Sequence, residues 1–133
     1  MGSTIWVVSE STLEEGDSWD HSAMLDVLDQ LDTLCISLGV PTISSFLGVA
    51  DSGNLSWKSY RKRASWFDAR TAIPTFRALR AHVAAKPDAV TVGRNKFSGC
   101  DFQEMLLEEL DDCLGKTTLF AEAQDPFHIS FVS

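Results

Sequence analysis

"PFHISFV", residues 126–132, alternates Phe127, Ile129 and Phe131 with His128 and Ser130, just after the turn residues Gln124, Asp125 and Pro126. A period of two puts the three large apolar side chains on one side of a strand. Its counterpart is "TIWVVS" (4–9), β-branched and aromatic, which reads as a second strand at least half buried. Strands at the two ends of a chain are expected to pair and bring the ends together. Helical patterns fill most of what lies between. The sequence therefore predicts a single α+β domain over residues 1–133, with about three helices packed on a small sheet formed by the N-terminal and C-terminal strands.

The first helix is the clearest. Met24, Leu28, Leu31, Cys35 and Leu38 recur at spacings of four and three, and Gly39 and Pro41 close the pattern, so a helix is expected over about 20–38. "PTISSFLGVADSGNLS" (41–56) is a connector anchored by Ile43, Phe46 and Leu47, with a turn at Asp51–Asn54. "WKSYRKRASWFD" holds at most a short helix. Ile73, Phe76, Leu79 and Val83 mark a second face. Pro74 sits in its first turn and Lys86-Pro87-Asp88 ends it, giving 74–85. A third helix opens on Asp101 with Glu104, a capping-box-like pair. It carries Phe102, Leu106, Leu110 and Cys113 inward and is expected to exit at Gly115-Lys116.

Composition excludes several classes. With 44% hydrophobic and 23% charged residues, eight Phe and four Trp, the 133-residue chain has the material for one packed core without a staple. Three cysteines without a CxxC spacing exclude a disulfide framework, and three scattered histidines offer no zinc-ligand spacing. The start, "MGSTIWVVSESTLEEGD", has neither a basic n-region nor an apolar h-region, and no apolar run reaches the ~20 residues of a membrane span. The expected compartment is the cytoplasm, and no cofactor is implied.

The net charge of −8 is unevenly laid out. Residues 1–57 carry nine acidic side chains and no Lys or Arg. Residues 58–96 carry ten basic and two acidic ones, and residues 97–133 carry one basic and eight acidic. Lys58, Arg61, Lys62 and Arg63, interleaved with Trp57, Tyr60 and Trp66, could grip phosphates and stack bases, which makes stretch 57–66 a nucleic-acid candidate. A pI near 4.7 opposes that reading, since nucleic-acid domains are basic as a whole. Docking of these cations on the Asp-rich first helix is the simpler expectation.

Cys100, one position before the third helix, is placed where a helix dipole would favour a thiolate, so a small enzyme using it is an alternative. Asp26, Asp29 and Asp32 sweep around the helix without a histidine at i+3 or i+4, and with Asp17 and Asp20 upstream they suit a solvated face better than a metal. "LGKT" (114–117) lacks the glycine and the preceding strand of a phosphate loop. His128 and His82 read as surface or edge histidines. What remains is an acidic surface suited to steering a basic partner: Glu14, Glu15, Asp17, Asp26, Asp29, Asp32, Glu104, Glu108, Asp111 and Asp112.

"STIWVVSESTLEEGDSWDHS", "LDQLDTLCISLGVPTISSF", "WFDARTAIPTFRALRAHV" and "LLEELDDCL" together resemble a group of small acidic bacterial proteins of uncharacterised function, in which a Trp-Phe-Asp turn opens a helix as Trp66-Phe67-Asp68 does here. These are packing and capping motifs and carry no activity across. The general character of that group is similar to immunity proteins, which bind and block a toxin. The resemblance implies a cytoplasmic protein-binding module without catalysis, an immunity-type inhibitor whose partner is a cognate toxin or effector with a basic surface.

Overall fold

The computed structural model describes residues 4–15, 17, 19–48, 56–86, 89–90 and 102–132. Strand β1 (Thr4–Ser9) is followed by a 3-10 turn at Leu13–Glu15, helices α1 (Ser22–Asp26) and α2 (Leu28–Leu38), and a second such turn at Ile43–Phe46. Then come α3 (Trp57–Arg63), a turn at Ala69–Thr71, α4 (Ile73–Ala85), α5 (Phe102–Glu122) and strand β2 (Phe127–Val132). The terminal strands pair antiparallel, with Ile5 opposite Phe131, Val7 opposite Ile129 and Val8 opposite His128. This is the expected α+β architecture. None of the described helices is long and apolar enough to cross a membrane.

The period of two sorts the sheet into two faces. Ile5, Val7, Phe127 and Ile129 face a core completed by Met24, Leu31 and Cys35 of α1 and α2, Phe76, Leu79 and Val83 of α4, and Leu106, Leu110 and Cys113 of α5. Burial leaves the Cys35 thiol at about 11, well above its ordinary value, and also pushes the Cys113 thiol well up; both act as small hydrophobes. A two-stranded ribbon is marginal by itself, and here both of its edges are covered. On the β2 side, Phe67 exchanges backbone hydrogen bonds with Phe127 at 2.8 and 2.9 Å, and Leu47 bridges Ile129 in parallel. On the β1 side the cover comes from side chains, described below.

Several element boundaries differ from expectation. The first helix breaks at Val27 (φ −120°, ψ 24°), so α1 is a separate single turn whose buried start, without a local side-chain cap, meets a carboxylate from α5. Its successor ends as expected on left-handed Gly39 (φ 75°), where only glycine is unstrained. The third helix does not exit at Gly115-Lys116 but continues through "TTLFAE" to Glu122. The Thr117 and Thr118 hydroxyls donate to the Cys113 and Leu114 carbonyls one turn back, and Lys116 pairs with Asp112 on the same face. The actual stop is Gln124, at φ 54°, followed by Pro126. Asp101 and the turn at Asp51–Asn54 lie outside the described residues.

Candidate functional site

Of the ten carboxylates expected to face a partner, Glu14, Glu15, Asp29, Glu104, Glu108 and Asp111 are exposed. Asp26 and Asp32 are half-buried, and Asp32 accepts from the Ser44 backbone N–H and hydroxyl, tying α2 to the turn after it. Asp17 and Asp112 are not surface charges. The Asp17 carboxylate is wholly buried and that of Asp112 nearly so.

Those two belong to a polar cluster between β1 and α5. Asp17 accepts the Val7 backbone N–H at 2.9 Å, and His21 Nδ1 lies 2.8 Å from the Ile5 carbonyl oxygen. The two side chains thereby take the hydrogen bonds that a further strand would make along β1, which closes that edge of the sheet. His21 Nε2 meets Asp112 at 2.6 Å, while the Lys116 ammonium bonds both Asp112, at 2.7 Å, and Asp17. Burial works against the Lys116 ammonium, but its bonds to the two carboxylates outweigh that and hold it above the ordinary lysine value. One turn earlier, Glu109 reaches across to accept the Ala23 and Met24 N–H groups at 3.1 and 2.8 Å, capping α1 in place of a local side chain. Burial raises the Glu109 carboxyl despite those bonds.

Asp17, His21 and Asp112 present ligand atoms within 4.8 Å of one another, the spacing a metal ion would need. Here both ring nitrogens and both carboxylates are already engaged, and the cation between them is Lys116. The cluster reads as an internal bracket. Sequence reasoning missed the roles of His21, Glu109 and Lys116; the available signals were Asp17 with His21 and Asp112 with Lys116, each at i, i+4, which show two pairs but not that they meet.

The basic stretch docks elsewhere than expected. Arg61 reaches Glu14 at 3.6 Å and the Glu10 carbonyl at 3.1 Å, so it binds the segment after β1 rather than the first helix. Arg80 pairs with Asp111 of α5 at 2.9 Å. Tyr60 and Trp66 turn inward onto His128, which removes two of the three ring faces that base stacking would use. His128 is itself fully buried, contrary to its reading as a surface or edge histidine, because the outer face of the sheet is roofed by Trp66 and α3. Cys100 lies outside the described residues.

Two outward features remain. Along α5 the exposed positions are Glu104, Glu108, Asp111, Gly115, Leu119 and Glu122, a single ridge in which Leu119 is 64% exposed. Beside its C-terminal end a cleft of about 360 Å³ is lined by Trp66, Phe67, Arg70, Phe120, Gln124 and Pro126. Asp68 at its rim accepts from Arg70 at 2.7 Å, and that bond holds its carboxyl below the usual range. No family model matches the chain, and no curated protein or solved structure is significantly similar to it.

Proposed function

We infer that this chain is a cytoplasmic protein-binding module of the immunity type, which neutralises a toxin or effector by covering its basic surface. The observation that supports this reading is the α5 ridge, where Glu104, Glu108 and Asp111 lead to the exposed Leu119 and then Glu122. Carboxylates in a row speed encounter with a cationic partner, and an apolar residue among them provides area that is dried on contact. Occlusion of this kind needs no catalytic group. Asp17 and Asp112 drop out of the binding surface because their charge is spent inside the fold.

The test uses the tagged chain as bait in lysate of its own organism across a salt series, beside the variant E104K/E108K. One stoichiometric protein partner is expected, released by high salt and held at least about tenfold more weakly by the variant. Both substitutions are at exposed helical positions, so unchanged circular dichroism should accompany the loss. A partner held equally by both forms would remove α5 as the binding face.

A further inference from the structure

His128 leaves one polar atom unaccounted for on the outer face of the sheet. Its Nδ1 faces the Ser65 carbonyl oxygen at 3.1 Å. A carbonyl only accepts, so in the neutral ring Nδ1 carries the proton and Nε2 is a bare lone pair. That Nε2 is buried and has no hydrogen-bond partner among the described residues. Trp66 stacks on the imidazole with centroids 4.2 Å apart and planes 12° apart, and Tyr60 meets it edge-on at 6.1 Å. Gly48 closes another side so tightly that a Cβ there would lie 2.7 Å from the His128 Cβ.

This enclosure suits a neutral ring and opposes a cation. Protonating Nε2 would bury a charged donor with no acceptor among the described residues. The surrounding charges do not compensate. Helix α3 brings Lys58, Arg61, Lys62 and Arg63, all cationic, with Arg61 turned to Glu14. The segment after Trp66 brings Asp68, already held by Arg70. Strand β1 places uncharged Val8 opposite His128, and Glu10 beyond its end offers Arg61 a backbone carbonyl. Leu47 and Gly48 bring no charge. Burial accordingly holds the imidazole below the ordinary histidine value, and the Ser65 carbonyl only partly offsets it.

The element over this ring is lightly attached. No residue of α3 is fully buried. Its anchors to the rest of the fold include the Tyr60 contact with His128, the Arg61 bonds to Glu10 and Glu14, and at its end the Ser65 N–H on the Gly48 carbonyl at 2.9 Å, while the Trp66 indole N–H bonds the Arg61 carbonyl at 2.9 Å within the strap itself. We propose that α3 and Trp66 form a pH-sensitive strap over the outer face of the sheet, latched by neutral His128 and released when that ring takes up a proton. The proton comes from solvent and binds the Nε2 lone pair; no other covalent bond changes. Release uncovers Val8 and withdraws Trp66 from the wall of the cleft.

The sign follows from linkage. The open form binds more protons than the closed one, so the strap is fully closed above the ordinary imidazole range near ~6.5 and opens as pH falls below it. One proton limits the change to about tenfold in the opening equilibrium per pH unit. Amide hydrogen exchange, corrected for intrinsic rates, and tryptophan fluorescence between about pH 8 and pH 5 test this. Amides of α3 should lose protection as pH falls while those of α4 and α5 keep theirs. H128F keeps a stacked ring and removes the titrating atom, so it should flatten the response. Acid opening of α3 that persists in H128F would overturn the proposal and point to His21 or His82. Should H128F not fold, the wild-type His128 ring decides by NMR: titration without a coincident change at α3 overturns the proposal equally.

Discussion

Lys116 is the only lysine or arginine in contact with the wholly buried Asp17 carboxylate among the described residues, and it holds Asp112 as well. Replacing it by methionine keeps most of the side-chain volume and leaves a buried carboxylate without its counter-ion. K116M is expected to lose about 3 kcal/mol, read as a lower urea midpoint with unchanged slope. The double variant D17N/K116M should recover part of that loss, since the uncompensated charge is then gone. Equal stability of K116M and wild type would show that the bracket is not structural. At this scale the sequence was least legible. Asp17 and Asp112 read as outward charges because a carboxylate shows its chemistry but not its direction, and Lys116 lies 99 residues from Asp17. The same holds for His128, whose place in an alternating strand gives its side of the sheet but not the roof laid over that side by Trp66.

Two glycines separate what helix and strand neighbourhoods demand. Gly115 sits inside α5 with nothing near the position of an added Cβ. G115A should raise stability by about 0.5–1 kcal/mol, because alanine loses less backbone entropy in a helix. Gly48 is the opposite case, where a Cβ would fall 2.1 Å from the Ser65 carbonyl oxygen. That contact is backbone and cannot swing away, so G48A should cost at least about 1–3 kcal/mol. A thermal-unfolding comparison of the two checks both signs. The faces of α2, α4 and α5 were legible as apolar periodicity, and Gly39 and Pro74 marked true ends. Gly115 misled because glycine followed by lysine resembles a helix exit, while the burial of Thr117 and the Lys116 bond to Asp17, which hold this part of α5 in place, are set by neighbours in space.

The whole molecule depends on its last strand. β2 lies between β1 and the bridges from Leu47 and Phe67, and it carries Phe127 and Ile129 into the core. Deleting residues 127–133 should therefore abolish cooperative unfolding and collapse NMR dispersion rather than fray one end; a truncated chain that still melts cooperatively would contradict this. The periods of two and 3.6 and the apolar terminal runs determined by themselves that the chain is an α+β domain with paired ends, because those signals are local and every residue in them answers to the same core. Only the tertiary structure decided which charges became structure and which stayed surface. Asp17, His21, Asp112 and Lys116 meet because β1 and α5 pack, and α5 keeps Glu104, Glu108 and Leu119 outward for the same reason. Ion pairing is chosen by distance in space and by burial, and neither is written in the order of residues along a chain.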